Sequence, residues 1–142
     1  MTALFIFGVL ISSVLPAQAQ HNLTEVNFEL DKEFHHMDRN KNNAVDVQEF
    51  EAILNVWDRD NDGCVGMTEF FAAHSSDSLT MEWALFSHFD HNQDSCLEIP
   101  DLVDEFHLVD INPQNGEITL QEYEVYYDKV LANIGFLNLQ SS

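Results

Sequence analysis

The stretch that decides the fold is DRDNDGCVGMTE, residues 58–69. Its first, third, fifth and twelfth positions carry acidic side chains, and these are Asp58, Asp60, Asp62 and Glu69. Gly63, at the sixth position, can adopt the left-handed backbone of a tight turn without steric cost. Calcium takes about six to eight hard oxygen ligands, and a short loop that runs into a helix can bring side chains with this spacing to one point. The stretch therefore predicts a calcium-binding loop.

Two further windows repeat this arrangement. In residues 38–49 the oxygen-bearing side chains are Asp38, Asn40, Asn42, Asp46 and Glu49. In residues 90–101 they are Asp90, Asn92, Asp94, Glu98 and Asp101. The eighth position is apolar in all three windows, where it is Val45, Val65 and Leu97. Three acidic loops in register, flanked by apolar residues at helical spacing, predict a repeated calcium-binding unit.

The three windows and their flanks resemble the EF-hand family, and the resemblance covers nearly all of the chain after residue 19. It implies helix, calcium loop and helix in repetition, and so an all-α fold. It also implies that a backbone carbonyl at the seventh position completes each site, which assigns that role to Ala44, Cys64 and Cys96. We expect three bound calcium ions.

A fourth loop, residues 110–122, is degenerate. Read forward from the preceding helix it starts at Asp110, but read backward from Glu122, with Gly116 at the sixth position, it starts at Ile111. A one-residue insertion near Pro113 reconciles the two frames. The loop is then either a weakened calcium site or a structural unit retained for pairing.

The spacing of the loops predicts how they pair. Between the first and second loops there is room for one helix of about ten residues, roughly 15 Å long, and the same holds between the third and fourth. Two loops that share a helix cannot pair with each other, so we expect Val65 opposite Leu97 and Val45 opposite Ile118. Helices are predicted near residues 24–37, 48–57, 67–75, 79–89, 100–109 and 120–134, packed as one globule. Two separate lobes are the alternative.

The chain has two cysteines, both at the seventh position of a loop. If the second and third loops pair, Cys64 and Cys96 lie diagonally across a short antiparallel ribbon. That geometry is marginal for a disulfide, so a bridge and two unlinked thiols both remain open.

The N-terminal segment and the overall charge bear on location and partners. Residues 1–19 carry no charged side chain and end in Ala-Gln-Ala, which predicts a secretory signal peptide cleaved before Gln20, an extracellular protein and no membrane span after cleavage. A signal anchor retained on the membrane is the alternative. The resemblance implies a single EF-hand domain over 20–142. The net charge is −20, which excludes nucleic acid as a partner. The seven histidines lack His-x-x-x-His spacing and are predicted to be solvated. No catalytic motif is present, so we do not expect an enzyme.

These features together favour a secreted protein that stores or buffers calcium or belongs to a mineralised matrix. Secreted invertebrate EF-hand proteins, including ones of shell-type matrices, are similar in charge and signal peptide. Its partners would be calcium ions and calcium mineral or matrix components. The alternative is a secreted calcium sensor that exposes a hydrophobic groove to a protein partner.

Overall fold

The structure is a computed structural model and describes residues 2–6, 9–13, 23–73 and 79–134. Helices make up most of these residues. The helices are α1 (Leu23–Met37), α2 (Val47–Glu51), α3 (Leu54–Trp57), α4 (Met67–Ala73), α5 (Leu79–Phe89), α6 (Ile99–Val109) and α7 (Leu120–Asn133). The strands are β1 (Thr2–Ile6), β2 (Val9–Ser13), β3 (Val45–Asp46) and β4 (Glu117–Ile118). Within these ranges, no helix has both the length and the apolarity that crossing a bilayer requires.

Several helices begin where a loop ends, because the same side chains serve both. Asp46 caps α2 by accepting from the Glu49 backbone N–H, and the Glu49 side chain accepts in return from the Asp46 N–H. Thr119 and Glu122 form the same reciprocal pair at the start of α7. This capping box satisfies two of the donors that a helix start leaves unpaired, so the twelfth loop position also fixes the start of the next helix.

Five of the six predicted helices agree with the structure to within two residues at each end, and one does not. Residues 74 and 75 of the predicted helix 67–75 lie outside the described residues. The predicted helix 48–57 is instead two short helices, α2 and α3, separated by Ala52 and Ile53. The backbone tightens there, since Ile53 N–H donates to Phe50 O at 3.3 Å and Val56 N–H donates to Ile53 O at 3.0 Å. Each of these bonds joins residues three apart, as in a 3₁₀-helix, rather than four apart, as in an α-helix. The β-branched side chains at 53 and 56 are weaker helix formers, which accounts for a break at this place.

The predicted loop pairing is confirmed. Val45 pairs with Ile118 in the antiparallel strands β3 and β4, and Val65 pairs with Leu97 through two hydrogen bonds of 3.0 and 2.9 Å. All four side chains are buried. The first loop therefore lies beside the fourth and the second beside the third, with α6 running from the end of the third loop to the start of the fourth.

One core of buried side chains extends through the described helices. The ring of Trp57 packs edge-on against Phe70, and Phe70 packs in the same way against Phe86. On the other side of the core, the first and last helices contact each other, and the rings of Phe34 and Tyr123 lie 5.9 Å apart. Contact between α1 and α7 favours the predicted single globule over two separate lobes.

Strands β1 and β2 form an antiparallel hairpin in which Thr2 lies opposite Ser13. Both strands fall within the predicted signal peptide, and the proposed cleavage point before Gln20 lies outside the described residues. Cleavage of residues 1–19 stays a prediction.

A carboxylate between α1 and α7 makes stability depend on pH. Burial, with the nearby charge of Glu124, raises the pKa of Asp128 from 3.8 to about 6, although the hydrogen bond from the Asn27 amide opposes the rise. The folded state therefore binds this proton more tightly than the unfolded state. Its contribution to stability is present below pH 4 and is lost as the pH rises from about 4 to about 6.

We expect Asp128→Asn to raise the free energy of unfolding by about 1 kcal/mol at pH 7.5, a figure reduced because the group is half exposed. At pH 4 the gain should be much smaller, because Asp128 is then protonated in the folded wild type. Urea unfolding at both pH values measures the difference, with the exposed Glu117→Gln as the control. An equal gain at the two pH values would contradict the assignment.

Candidate metal centre

The second loop brings its four predicted carboxylates together. Asp58, Asp60, Asp62 and Glu69 each offer one oxygen, and these oxygens all lie within 4.8 Å of one another. Oxygens bound to one calcium ion at about 2.3–2.6 Å can be at most about 5 Å apart, so the group is compact enough to share an ion. In the part of the chain that the structure describes, no other group of three or more Asp, Glu, His or Cys side chains meets this distance.

Backbone N–H groups of the loop hold these carboxylates in place. Glu69 Oε1 accepts from the N–H groups of Arg59 at 2.9 Å and Asp60 at 3.2 Å, and Glu69 Oε2 accepts from Gly66 N–H at 3.2 Å. Gly63 has a φ of +85°, as its place in the sequence predicts. The carboxylate of Glu69, at the end of the loop, is therefore hydrogen-bonded to the backbone at the start of the loop without the help of an ion.

Asp58 provides an independent indication of a cation. Its Oδ2 accepts from Gly63 N–H at 2.9 Å, but its Oδ1 is buried and has no hydrogen-bond partner. A buried polar atom left unsatisfied costs about 1–3 kcal/mol. A cation held by the four carboxylates would satisfy this oxygen, so the residues present fit a bound metal.

Charge repulsion within the group is visible at Asp60. The Asp62 backbone N–H lowers the pKa of Asp60, yet the net shift is upward, because desolvation, the side-chain hydrogen bond with Asp62 and the negative charges of Asp62 and Glu69 together outweigh it. Carboxylates crowded in this way repel one another, and a cation among them relieves the repulsion.

The first loop shares most of the hydrogen-bond pattern of the second, except that both oxygens of its first carboxylate accept a backbone N–H. Asp38 accepts from the N–H groups of Asn42 and Asn43, at 3.2 and 2.9 Å, and Glu49 Oε1 accepts from Asn40 N–H at 3.1 Å. Asn43 has a φ of +66° at the sixth position, a conformation that Asn tolerates better than most residues. The acidic side chains of this loop do not gather as those of the second loop do, partly because two of its predicted ligands are amides.

The third loop also repeats the pattern. Asp90 accepts from the N–H groups of Asp94 at 3.2 Å and Ser95 at 2.9 Å, and Asp101 Oδ1 accepts from His91 N–H at 3.0 Å. Asn92 Oδ1 accepts from Asp94 N–H at 3.1 Å. Ser95 has a φ of +67°, which is less favourable for Ser than for Gly. Asp101 has a shorter side chain than the Glu at the same position of the other loops.

The predicted insertion in the fourth loop is confirmed by its hydrogen bonds. In the second loop Asp58 accepts from Gly63, five residues later, whereas Asp110 accepts at 2.7 Å from Gly116, six residues later. Glu122 Oε1 accepts from Asn112 N–H at 2.7 Å, so the last carboxylate keeps its usual role. The first and last carboxylates of the fourth loop thus keep their hydrogen bonds to the loop backbone, and the loop between them contains one additional residue.

The seventh-position residues were predicted to offer their carbonyls. Their N–H groups each donate to the residue two before, at 3.0 Å for Ala44, 2.9 Å for Cys64 and 3.0 Å for Cys96. The role of their carbonyls stays a prediction. A disulfide joins Cys64 to Cys96 with their Cα atoms 5.3 Å apart, which settles the open alternative in favour of the bridge. Cys64 and Cys96, which are diagonal neighbours across the two loops, lie closer together than an untwisted ribbon predicts. The twist of paired strands shortens the distance along one of the two diagonals.

A second cluster of titratable side chains, not predicted from the sequence, lies between α5 and α6. Glu105 is fully buried, and its two oxygens lie 2.9 Å from His88 Nε2 and 3.1 Å from His91 Nε2. The prediction of solvated histidines is therefore wrong for these two. The signal that could have revealed the cluster is an acid at position 105, on the same helical face as the apolar residues 102, 106 and 109, together with His-x-x-His spacing over 88–91.

These partners perturb one another. Burial raises the pKa of Glu105, but hydrogen bonds from His88, His91 and Tyr127 outweigh it, and the net pKa is lowered. The hydrogen bond to Glu105 raises the pKa of His91 despite its partial burial.

No family model, curated protein or solved structure matches this chain.

Proposed function

We propose that the protein binds calcium through EF-hand loops, with residues 58–69 as the principal site. The observation that supports this best is the group of four carboxylates whose oxygens lie within 4.8 Å of one another. The partnerless buried Oδ1 of Asp58 agrees with it. Helices α3 and α4 stand on either side of this loop, as an EF-hand requires.

Calcium is the metal that the chemistry of the loop favours. All four side chains offer carboxylate oxygen, which suits hard cations, and no thiolate or imidazole is part of the group. Magnesium demands near-ideal octahedral geometry and gives up its water reluctantly, whereas calcium accepts more ligands in a flexible arrangement. A loop with four carboxylates is therefore better suited to calcium.

The first and third loops are proposed as weaker calcium sites. They share most hydrogen bonds of the second loop, but their acidic side chains do not come together as those of the second loop do. In the third loop the short side chain of Asp101 reaches less far toward an ion, which should favour magnesium relative to calcium. The fourth loop is proposed as a pairing partner for the first.

For the biological role, we propose a secreted calcium store or buffer, or a component of a mineralised matrix. Three calcium ions would carry six positive charges against a net charge of −20, so the protein would stay strongly acidic when loaded. An acidic surface of this kind attracts further cations and calcium-rich mineral faces. Secretion rests on the predicted signal peptide.

A calcium sensor is the second candidate, favoured by one feature beside the third loop. A cavity of about 350 Å³ has the apolar residues Met67, Trp83 and Phe86 on one side, and Trp83 is 58% exposed. The rest of its lining is polar, from Ser87, Asp90, Gln93 and Ser95. A cavity with one apolar wall next to a metal loop could open further when the ion binds. A sensor should then increase the fluorescence of an apolar-surface dye on calcium binding, and a buffer should not.

The proposed function is tested by calcium titration of the full chain in a calorimeter. The wild type should show one event tighter than the others, and Glu69→Gln should weaken it about tenfold or more, or about 1.4 kcal/mol. Glu51→Gln is a matched control, because Glu51 is comparably exposed and lies in α2 outside the loops. Absence of calcium binding, or a tightest event that survives Glu69→Gln, would refute the proposal.

A further inference from the structure

Asn115 and Gly116, in the fourth loop, are the one asparagine–glycine pair of the sequence. Both residues are exposed, and a Cβ at Gly116 would meet no atom within 4 Å. Because glycine has no Cβ, its backbone can approach another group more closely than the backbone of other residues. The side chain of Asn115 is therefore open to attack by the backbone nitrogen that follows it, and asparagine is among the thermally labile residues.

The reaction expected of such a pair is loss of the side-chain amide. The Gly116 nitrogen attacks Asn115 Cγ, so that a C–N bond forms while the bond from Cγ to Nδ2 breaks. The proton of the Gly116 N–H leaves with Nδ2 as ammonia. Water then opens the five-membered imide at one of its two carbonyls, which yields aspartate or isoaspartate. The exposure of both residues gives water access to the imide.

Hydrogen bonds of the folded loop act on both reacting groups. The Glu117 N–H donates to Asn115 Oδ1 at 3.1 Å, which polarises the side-chain carbonyl and favours attack. The Gly116 N–H, however, donates to Asp110 Oδ2 at 2.7 Å, and Asp110 is 1% exposed. Attack requires the nitrogen to give up its proton, and like-charge repulsion disfavours a negative nitrogen beside this buried carboxylate. The closed loop therefore restrains the attacking nitrogen.

We propose that Asn115 is a site of spontaneous deamidation and that the hydrogen bond from Gly116 to Asp110 sets its rate. The pair reacts when the fourth loop opens and releases the Gly116 nitrogen. Strand β4 begins at the next residue, Glu117, and pairs with β3 of the first loop. The fraction of deamidated chains would then record how long the fourth loop, and with it this pairing, has been open.

Closing the loop again does not reverse the modification. Ammonia is lost, and each product adds a negative charge to a loop that already holds Asp110, Glu117 and Glu122. Like charges within one short loop repel one another. Isoaspartate also adds one carbon to the backbone immediately before Gly116, which shifts the Gly116 N–H relative to Asp110. Deamidated chains should therefore accumulate as the protein ages.

The test is incubation of the full chain in calcium at neutral pH, followed by digestion and mass spectrometry of the peptide that contains residue 115. The folded wild type should deamidate about tenfold more slowly than Asp110→Asn, because a hydrogen bond to a charged acceptor is worth roughly that factor. The wild type in urea should also react at least about tenfold faster than the folded wild type. Asp104→Asn is the matched control, because Asp104 is exposed on α6, outside the fourth loop. It should react at the wild-type rate.

Two further measurements locate the reaction. Asn115→Gln should abolish it, and Asn43, which precedes Ala44, should keep its amide in the same digest. Absence of deamidation at residue 115, in the folded chain and in urea alike, overturns the proposal. So does a folded wild type that reacts as fast as Asp110→Asn, because the hydrogen bond would then not set the rate. If Asp110→Asn did not fold, equal rates for the wild type with and without urea would overturn it. Each of these results leaves calcium binding by the second loop to its own test.

Discussion

Removing calcium with a chelator is expected to lower the free energy of unfolding by about 4 kcal/mol for each site that had been filled at a thousandfold excess over its Kd. The second loop should contribute most, because its four carboxylates crowd one another without an ion. The effect extends to the helices, since residues such as Glu49 belong both to a loop and to the first turn of the next helix. The melting temperature and the urea midpoint should both rise steeply with calcium.

Sodium chloride and magnesium serve as controls for this experiment. Salt screens repulsion between carboxylates without filling the loops, so its effect should be much smaller than that of calcium at the same ionic strength. Magnesium should stabilise less than calcium in the wild type. A calcium-free protein that melts at the temperature of the loaded one would contradict the expectation.

The second large effect is expected from the disulfide. Replacing both Cys64 and Cys96 with Ser should lower the free energy of unfolding by about 3–4 kcal/mol, because the bond closes a loop over a sequence separation of 32 residues. Apart from this bond, two hydrogen bonds between Val65 and Leu97 join the second and third loops. Denaturant unfolding in saturating calcium measures the loss.

A reductant provides the matched control for the disulfide. Treating the wild type with dithiothreitol should reproduce the loss, while the double Ser variant should not respond. Calcium affinity of the second and third loops should fall in both cases, because the bond holds the two loops in register. Equal stability of the oxidised and reduced wild type would be evidence against this role.

The helices and the loop pairing could be predicted from the sequence because they follow from local repetition. The apolar eighth positions identified Val45 and Ile118 as one pair and Val65 and Leu97 as the other. The number of residues between the loops excluded pairing of the first loop with the second and of the third with the fourth. The four carboxylates of the second loop could be predicted for the same reason. The spacing of ligands within one short loop is a local property.

The features that escaped prediction depend on contacts between distant elements. The break between α2 and α3 is the exception, because it reflects local backbone tightening at Ile53 and Val56, which the apolar periodicity does not report. The pairing of Cys64 with Cys96 required the actual separation of the two loops. Glu105 meets His88 and His91 because α6 packs against the end of α5, and the acid at position 105 and the His-x-x-His spacing each mark only one side of that contact.

The nested pairing of the loops has a consequence for biosynthesis. The second loop finds its partner within the middle of the chain, but Val45 in the first loop must wait for Ile118, and α1 must wait for α7. Contacts between such distant segments are slow to form and cannot form at all on a shortened chain. A ribosome that stopped before α7 would release a polypeptide whose first helix and first loop both lack their partners, so this protein has no N-terminal half that could fold ahead of the rest.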